Sequence, residues 1–596
     1  MTTAEQIKPF VLKALKDLYN ADFAGPELTI TATKPEFEGD YTLVLFSFVK
    51  QLKKSPEHLG KEIGEFLQKM SPEFFRSYNV IKGFLNLTLS DSHWINFLKE
   101  NFSDKKSGIK TPVGDKVIVE YSSPNTNKPL HLGHLRNIFL GWSISEILKA
   151  QGNEVVKTCV VNDRGIHICK SMIAWQLFSN GATPESANTK GDHFVGDYYV
   201  KFNEELQRQK NDLIANGMNK EEAEKETPVM KAAQQMLLDW EAGKPEVIAL
   251  WKKMNGWVYE GFDTTYKRVG AGFDKMYYES NTYLLGKKFV EEGLDQGVFF
   301  KKDDGSVWID LTPDGLDQKL VLRKDGTSVY MTQDLGLAEE KYRDYQYDQS
   351  IYVIGDEQNY HMKVLKLIME KLGKPYADGI YHLSYGMVEL PSGRMKSREG
   401  TVVDADDIVD EMAGVAKQKT EELGKVKDFS EEELAELYDT IGLGALKFFL
   451  LRVDPKKKMV FNPDESVDFH GFTGPFIQYT YARIRSILRK EDITDESKVF
   501  IDDTATPLLN LEKQLIISLE QFPSMIQQAA EEHNPSVLAI YVFNAAKLFN
   551  TFYSEHSVLN AESAGKKQLR LQLSIMTANI IKTATALLGI RVPERM

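Results

Sequence analysis

The segment from Lys116 to Val161 constrains the fold more than any other part of the chain. It begins with KVIVEY, an apolar run typical of a buried parallel strand, and continues into SSPNTNKP, which suits neither strand nor helix. A helical apolar pattern follows over HLGHLRNIFLGWSISEILKAQG, and EVVKTCVV has the character of a second buried strand. Strand, loop, helix and strand in this order open a doubly wound, nucleotide-binding sheet. The sequence therefore predicts a multidomain α/β protein with a Rossmann-like parallel sheet.

Two further units flank this sheet. The helical pattern of Tyr41–Leu52 and the alternating run Gly83–Leu89 predict a small α+β domain at the N-terminus. Polar helical segments interrupt the central domain, and the C-terminal part is helical almost throughout. The predicted divisions are 1–110 for the N-terminal domain, 111–430 for the central domain with a helical insertion at about 171–300, and 431–596 for an all-α C-terminal domain.

The net charge of −13 argues against a protein whose whole surface binds nucleic acid. Residues 1–110 and 441–596 each sum to +1, however, so residues 111–440 carry −15 and the two flanking parts can still hold basic faces. Only two cysteines occur, which excludes a four-thiolate zinc site. The sequence has no secretion signal and no uninterrupted apolar run of about 18 residues, so we expect a cytoplasmic protein that does not enter a membrane.

Two segments carry residues suited to triphosphate chemistry. His131-Leu132-Gly133-His134 opens a helix after a strand and loop, where imidazoles and backbone N–H groups can donate to phosphates. Gly133 has no side chain, so an adenine ring can approach the backbone there. About 260 residues later, GRMKSREG (Gly393–Gly400) places three cations between glycines, which can close over a triphosphate. The ordinary alternatives are a helix start with two exposed histidines and a basic surface turn.

Together these segments resemble the paired signatures of the class I aminoacyl-tRNA synthetases. VEYSSPNTNKPLHLGHLRN and GMVELPSGRMKSREGTVV resemble the two signatures, and over most of the chain the resemblance is to the arginyl-tRNA synthetases. GDY and GFLNLTL resemble that family's additional N-terminal domain, while GFTGPFIQYTYARIRSI and ALLGIRVPERM resemble its helical anticodon-binding domain. The resemblance implies an enzyme that activates L-arginine with ATP and transfers it to the 3′ end of tRNA(Arg). It also implies that tRNA binds before the adenylate forms efficiently.

The resemblance assigns ATP to both signatures, with one departure. The family's usual second signature, Lys-Met-Ser-Lys-Ser, has a second lysine where this chain has Ser397. The resemblance then implies that Lys128 takes over the phosphate contact, with Lys396 as the competing candidate. Mg²⁺ is expected with ATP, and the sequence identifies no protein ligand for it. The predicted catalytic residues are Lys128, His131, Gly133, His134 and Lys396, and the predicted ATP-binding residues are Pro124, Asn125, Thr126, Asn127, Lys128, Pro129, Leu130, His131, Leu132, Gly133, His134, Met387, Met395, Lys396, Ser397 and Arg398.

A guanidinium group is planar, permanently charged and rich in donors, so its expected partner is a carboxylate. Tyr330 and Asp334 are four residues apart and share one face if their segment is helical. Taken singly, each candidate is better explained as a solvated residue, and only their occurrence together with both signatures favours a ligand role. Asp163 and Asp356 either polarise a ribose or cap turns. His361 is either a ligand or a packed pocket-wall residue. The resemblance assigns arginine to Glu120, Ser122 and Asn125 at its α-amino end and to Tyr330, Asp334 and Gln358 at its guanidinium end.

Aromatic and basic residues interleave along Gly471–Ile487, which suits stacking on single-stranded bases, although helical bundles also bury aromatics. The predicted tRNA contacts are Tyr479, Arg483, Lys456 and Lys457, in a chain expected to be a monomer. The insertion is expected to be structural or RNA-facing.

Two alternatives remain. A small-molecule adenylyltransferase would share the HxGH site but needs no long helical C-terminus. The other alternative is a non-catalytic tRNA-binding paralogue, against which the presence of His131, Gly133, His134, Glu120 and Asp334 argues.

Overall fold

The computed structural model describes residues 2–25, 28–34, 36–391, 403–422, 424, 428–499 and 507–596 of the protein. The first elements are α1 (Thr3–Tyr19), β1 (Ile30–Ala32), β2 (Tyr41–Val44), α2 (Phe46–Leu52), α3 (Pro56–Met70), β3 (Phe75–Ile81), β4 (Phe84–Leu89) and α4 (Asp91–Asn101). Their strands form an antiparallel sheet in the order β1-β2-β4-β3, with α3 packed against β3 and β4.

Local patterning at the N-terminus gave one correct and one partly wrong prediction. The alternating run ending at Leu89 is a strand, β4, as expected. The helix predicted over Tyr41–Leu52 begins only at Phe46, because Tyr41–Val44 pairs antiparallel with β4. Tyr41, Thr42 and Leu43 are all buried, so both faces of this short strand are covered and no period-2 alternation is visible.

The central domain holds most of the remaining strands. Its elements are β5 (Lys116–Glu120), α5 (Leu132–Ala150), β6 (Glu154–Val161), α6 (Ile166–Phe178), α7 (Pro184–Ala187), α8 (Gly191–Ala215), α9 (Lys220–Glu226), α10 (Pro228–Glu241), α11 (Pro245–Val269), β7 (Lys275–Tyr278), α12 (Glu279–Thr282), α13 (Lys287–Asp295), β8 (Phe299–Lys301), β9 (Val307–Ile309), β10 (Lys319–Leu322), α14 (Tyr330–Tyr345), β11 (Gln349–Gly355), α15 (Asn359–Lys371), β12 (Ile380–Tyr385), β13 (Val388–Glu389) and α16 (Ala405–Glu422).

Five of these strands form one parallel sheet in the order β12-β11-β5-β6-β7. In chain order this is the 3-2-1-4-5 arrangement of a doubly wound sheet, so the predicted Rossmann-like fold is confirmed. The strand order reverses between β5 and β11. Ligands of such sheets bind at this switch point, outside the carboxyl ends of the strands. The fold therefore directs attention to the residues that follow Glu120 and Gly355.

The helical insertion is shorter than the predicted range of about 171–300. Its helices α6 to α11 end at Val269, and Lys275–Tyr278 then joins the parallel sheet beside β6. This strand is at the edge of the sheet and has one buried residue, Tyr277, so it lacks the apolar run that marks a central strand. Strands β8, β9 and β10 form a separate antiparallel sheet.

The C-terminal part is a helical bundle. Its elements are α17 (Glu431–Leu451), β14 (Met459–Val460), α18 (Pro463–Ser466), α19 (Gly474–Lys490), α20 (Asn510–Glu520), α21 (Phe522–Glu531), α22 (Pro535–Glu555) and α23 (Ala564–Leu587). Helix α17 packs on α16 and α19, and β14 pairs with β13. Among the described residues, no helix is both long and apolar enough to cross a membrane.

The N-terminal sheet is attached to this bundle through buried polar groups. The Asp40 carboxylate accepts hydrogen bonds from the Leu89 N–H at 2.8 Å and the Trp94 indole N–H at 3.1 Å, and it pairs with Lys513 of α20 at 2.9 Å. Glu520, also on α20, accepts from the Thr3 N–H at 2.8 Å. The GDY segment therefore joins two domains, because Asp40 serves both the sheet and α20.

Replacing Asp40 with alanine should destabilise the protein by about 2–4 kcal/mol, because two buried donors and one ammonium lose their acceptor. Urea unfolding followed by tryptophan fluorescence measures this loss. Asp17→Ala, which removes an exposed ion pair with Lys13, serves as the control and should change stability by less than about 0.5 kcal/mol. Equal effects of the two substitutions would contradict the role given to Asp40.

Candidate functional site

The chain leaves β5 through a tight turn at the switch point. Ser122 and Ser123 both have left-handed backbone conformations, with φ of 77° and 44°. Asn137 of α5 holds the turn, because its Oδ1 accepts from the Ser122 N–H at 2.6 Å. The Asn137 amide N–H group donates to the Val353 carbonyl of β11 at 2.7 Å and to the Tyr385 hydroxyl at 3.2 Å. One side chain thus connects the carboxyl ends of β5, β11 and β12.

The first signature follows this turn and opens α5. His131 is the residue preceding the helix, and its Nδ1 accepts from the Gly133 N–H at 3.2 Å. The His131 N–H donates to Nδ1 of His134 at 3.1 Å, and the two rings are 3.9 Å apart. Because both Nδ1 atoms accept, each neutral ring carries its proton on Nε2. A Cβ on Gly133 would lie 3.0 Å from the His131 ring, so glycine makes room for this arrangement.

Both imidazoles are neutral. Burial and the nearby Lys128 ammonium lower the pKa of His131 to about 3. Burial, His131 and Lys128 hold the pKa of His134 far below its usual value. Burial also lowers the pKa of Lys128 itself. The histidines therefore offer hydrogen-bond donors rather than positive charges, and Lys128 is a cation in a poorly hydrated position.

The loop before His131 is bonded to the residue that follows β6. The Thr126 N–H donates to the Asn162 carbonyl at 3.1 Å, and the Asn162 N–H donates to the Pro124 carbonyl at 3.0 Å, which ties the loop to the end of β6. Asn125 is exposed, whereas Thr126 and Asn127 are buried. The Asn127 Oδ1 has no hydrogen-bond partner among the described residues.

The predicted second signature lies largely outside the described residues, Met395, Lys396, Ser397 and Arg398 included. Its described flanks lie at the carboxyl edge of the sheet. The Met387 sulfur lies 3.7 Å from the position that a Cβ on Gly355, the last residue of β11, would occupy. On the other side, the Leu132 N–H donates to the Val403 carbonyl at 3.2 Å, which places Val403 beside the first signature.

Glu120, predicted to bind an amino group, already has a partner. Its carboxylate accepts from the Lys341 ammonium of α14 in a buried ion pair. The Lys341 ammonium also lies 4.3 Å from the centre of the Tyr352 ring. Sequence reasoning missed Lys341, because 221 residues separate it from Glu120 and no local pattern links the two.

The other predicted amino-acid ligands lie at the start of α14 and after β11. Tyr330 is the first residue of α14 and is 74% exposed, and Asp334 follows one turn later. His361 of α15 contacts the Asp334 carboxylate, with 2.6 Å between Nε2 and Oδ2. Gln358 is exposed in the turn after β11. The predicted face shared by Tyr330 and Asp334 is present, and His361 is a partner of Asp334.

A second carboxylate, Glu279, lies near Asp334 and was missed from the sequence. Burial is the main cause that raises the pKa of Glu279 to about 7; Arg164 lowers this pKa, and the charges of Asp163 and Asp334 raise it. Glu279 directly follows β7 and begins α12. A carboxylate just after a strand was the available signal, but β7 itself was not predicted.

Asp163 is a turn cap, one of the two interpretations left open by the sequence. Its carboxylate accepts from the Ser280 N–H at 2.8 Å, the Ser280 hydroxyl at 2.7 Å and the Tyr259 hydroxyl at 2.8 Å. These three bonds hold the start of α12 against α11. Asp163 therefore positions the segment that contains Glu279.

The predicted RNA contacts lie on the C-terminal bundle and on a nearby turn. Arg483 of α19 lies 4.9 Å from the centre of the Tyr479 ring and 5.5 Å from that of Tyr553. Lys456 and Lys457 have exposed side chains in the turn before β14. Two neighbouring residues of α19 already have an internal partner, because the Tyr481 hydroxyl and the Arg485 guanidinium both donate to the Glu594 carboxylate. Arg489 donates to the Glu594 backbone carbonyl, and the Lys582 ammonium lies 3.9 Å from the Glu594 carboxylate.

Three family models match successive parts of the chain. They are described as the arginyl tRNA synthetase N terminal domain, at residues 5–89, the catalytic domain of tRNA synthetases class I (R), at residues 98–462, and the DALR anticodon binding domain, at residues 477–596.

Full-length relatives agree with these models. An arginine–tRNA ligase from Bacteroides thetaiotaomicron is 52% identical over 601 residues, and one from Flavobacterium psychrophilum is 52% identical over 609 residues; each match covers 100% of both chains. The solved arginyl-tRNA synthetase from Thermus thermophilus matches 100% of both chains with a TM-score of 0.79 and 24% identity, which supports the fold alone.

The histidines of the first signature should resist protonation. In spectra of ¹⁵N-histidine-labelled protein, the His131 and His134 side chains should stay neutral at pH 6, whereas His193 should be charged. The pKa of His193 is raised chiefly by its hydrogen bond to Asp406, against the effect of burial. Single histidine-to-glutamine variants assign the signals. Protonation of His131 at pH 6 would contradict the burial argument.

Proposed function

The chain belongs to the arginyl-tRNA synthetases of class I, and we propose from that membership which residues carry each part of the reaction. The enzyme attaches L-arginine to tRNA(Arg). The arginine carboxylate attacks the α-phosphorus of ATP, and pyrophosphate leaves. The 3′-terminal ribose hydroxyl of the tRNA then takes the arginyl group, and AMP leaves. The protein's part in the first step is to position both substrates and to stabilise the charge that develops on the phosphates.

ATP binds along the first signature, from Pro124 to His134, with Met387 and the second signature, Met395 to Arg398, on the other side. The Nε2–H groups of His131 and His134 donate to phosphate oxygens without adding charge. Lys128, together with Lys396, supplies the positive charge that the second lysine of the family's usual signature would supply. The support for Lys128 is its burial beside the two histidines, because a poorly hydrated ammonium gains more from a phosphate than a solvated one does.

Arginine binds between α14 and the end of β7, and the observation that carries this assignment is that Asp334 and Glu279 lie close enough for the Asp334 charge to raise the pKa of Glu279. Two carboxylates at the carboxyl edge of the sheet offer a guanidinium both charge and acceptors. Tyr330 and Gln358 border the same end. Glu120, Ser122 and Asn125 hold the α-amino end, and the Lys341 ammonium pairs with the buried Glu120 carboxylate.

Mg²⁺ enters with ATP as part of the substrate. The group of possible metal ligands found among the described residues is Asp192, His193 and Asp406. The Lys190 ammonium already binds both of its carboxylates, at 3.1 and 2.5 Å, which does not suit a divalent cation. The residues therefore do not form a resident metal site, and ATP's own oxygens are the ligands that bring the ion.

The two flanking domains read the tRNA. We assign residues 1–110 to an additional tRNA-binding domain, 111–430 to catalysis and 431–596 to the anticodon, with Tyr479, Arg483, Lys456 and Lys457 as contacts. A ring stacked on a guanidinium offers both a base-stacking face and a charge. The enzyme works as a cytoplasmic monomer. Its two cysteines, Cys159 and Cys169, are free and buried, in keeping with a reducing compartment.

Pyrophosphate exchange tests the function directly. With arginine and cognate tRNA present, the protein should incorporate labelled pyrophosphate into ATP, and omitting tRNA should suppress the exchange. Exchange with another amino acid in place of arginine would overturn the arginine assignment. Absence of exchange under all conditions would favour a non-catalytic tRNA-binding paralogue instead.

Asp334→Asn should raise the KM for arginine by about 10- to 100-fold, because it removes a charge-assisted bond worth about 1.5–3 kcal/mol. The KM for ATP should change by less than about twofold. Asp344→Asn is the matched control on the same helix; Asp344 binds the Tyr277 hydroxyl at 2.9 Å, and an amide oxygen can still accept that bond. An equal loss of arginine and ATP affinity in Asp334→Asn would refute the assignment.

Arginine binding should weaken as the pH falls, because Glu279 has a pKa of about 7 in the free enzyme and binds a cation only when ionised. Between pH 8 and pH 6 the KM for arginine should rise by about tenfold, as expected for one group with this pKa. Glu279→Gln should raise the KM at pH 8 and abolish this pH dependence. A pH profile unchanged in Glu279→Gln would exclude Glu279 as its source.

A further inference from the structure

The helical insertion reaches the first signature through a cluster of charges. Lys190 immediately precedes α8, and Asp406 lies in the first turn of α16. The Lys190 ammonium is 2.5 Å from Oδ2 of Asp406 and 2.6 Å from the Thr265 hydroxyl oxygen of α11. His193 adds a contact of 3.2 Å to the same Asp406 oxygen, and the Thr265 hydroxyl donates to Oδ1 of Asp406 at 3.0 Å. Three side chains of the insertion therefore converge on one carboxylate outside it.

Asp406 is ionised in this setting. Burial acts to raise its pKa, but hydrogen bonds from His193, Lys190 and Thr265 lower it far below its ordinary value. Asp192 lies fully buried behind the cluster, and the absence of a side chain on Gly261 of α11 makes room for it. The cluster is thus a closely packed network that connects α8, α11 and α16.

The segment that Asp406 anchors is bonded to the first signature. The Ala405 N–H donates to the Leu130 carbonyl at 3.0 Å, and the Leu132 N–H donates to the Val403 carbonyl at 3.2 Å. These two bonds flank His131, which forms an antiparallel bridge with Asp404. Residues 403–405 therefore act as a short strap along the backbone that presents His131.

Helix α8 also contacts the signature directly. A Cβ on Gly196 would lie 2.8 Å from Cδ of Pro129 and 3.6 Å from the Cα of Lys128. Glycine at this position lets the helix approach the loop that carries Lys128. The insertion thus supports the first signature at two places, at Pro129 through Gly196 and at Leu130–Leu132 through the strap.

We propose that Lys190, His193 and Thr265 are positioning residues for ATP binding, which act by holding Asp406 and its strap against the first signature. This inference rests on the proposed function, in that the first signature is taken as the ATP site. The insertion then has a defined part in the reaction: it fixes the backbone on which His131 and His134 present their Nε2–H groups. A loosened strap shifts these donors and weakens ATP binding while leaving the arginine pocket, on α14 and after β7, intact.

Lys190→Gln and Asp406→Asn each remove the ion pair while nearly preserving side-chain volume. In either variant, calorimetry without amino acid or tRNA should show ATP affinity reduced by about tenfold, and the double variant should be no weaker than the worse single variant, because the two residues act as a pair. In exchange assays the KM for ATP should rise likewise, with the KM for arginine changed by less than about twofold. Lys190→Arg should restore most of the ATP affinity.

Lys210→Gln is the matched control, because Lys210 forms a 2.5 Å ion pair with Glu224 inside the same insertion and away from the strap. Its ATP affinity should equal that of the wild type.

Unchanged ATP affinity in Lys190→Gln and Asp406→Asn would overturn the inference, as would a joint rise of the KM for ATP and for arginine. If a full loss of the pair unfolds the insertion, His193→Gln, which removes one of the three contacts, should still weaken ATP binding selectively. Failure of the wild-type protein to bind ATP would instead count against the proposed function.

Discussion

The way the chain leaves β5 sets the geometry of the whole site. Adjacent parallel strands β5 and β11 continue on opposite faces of the sheet, so a crevice opens between their carboxyl ends. Two consecutive serines turn the chain there in left-handed conformations, each of which costs about 1–3 kcal/mol. Asn137 compensates for this strain because it binds Ser122 and Val353 at once. The backbone that enters the first signature is therefore fixed by a side chain of the helix that the signature begins.

Short-range patterns were sufficient for the centre of this fold and failed at its edge. Apolar runs and helical spacing predicted β5, α5 and β6, because their burial depends on neighbours within one supersecondary unit. The edge strand β7 has a single buried residue and left no such pattern. Glu279 was missed with it, although Asp334, on an amphipathic helix, was found. For this reason the sequence supplied only one of the two carboxylates that we propose for arginine.

The partners of the buried charges could not be predicted, since they come from distant parts of the chain. Lys341 meets Glu120 across 221 residues, and Lys190 meets Asp406 across 216. A buried carboxylate without such a partner would be protonated or would destabilise the fold. The acidic excess of residues 111–440 is therefore an incomplete guide to a cation site, because part of it is already neutralised by internal lysines.

The proposed assignments separate two kinds of charge recognition. Around the first signature the histidines are neutral and offer Nε2–H donors, and the Lys128 ammonium adds positive charge, which suits a polyanion. At the proposed arginine site the charge of Asp334 contributes to the raised pKa of Glu279, so a bound cation favours the ionised form of Glu279. The buried Glu120–Lys341 pair adds no net charge to either region. Each region therefore favours its own ligand. Arginine beside Lys128 and ATP beside Asp334 and Glu279 would both meet charge of their own sign, which makes an exchange of the two ligands unfavourable.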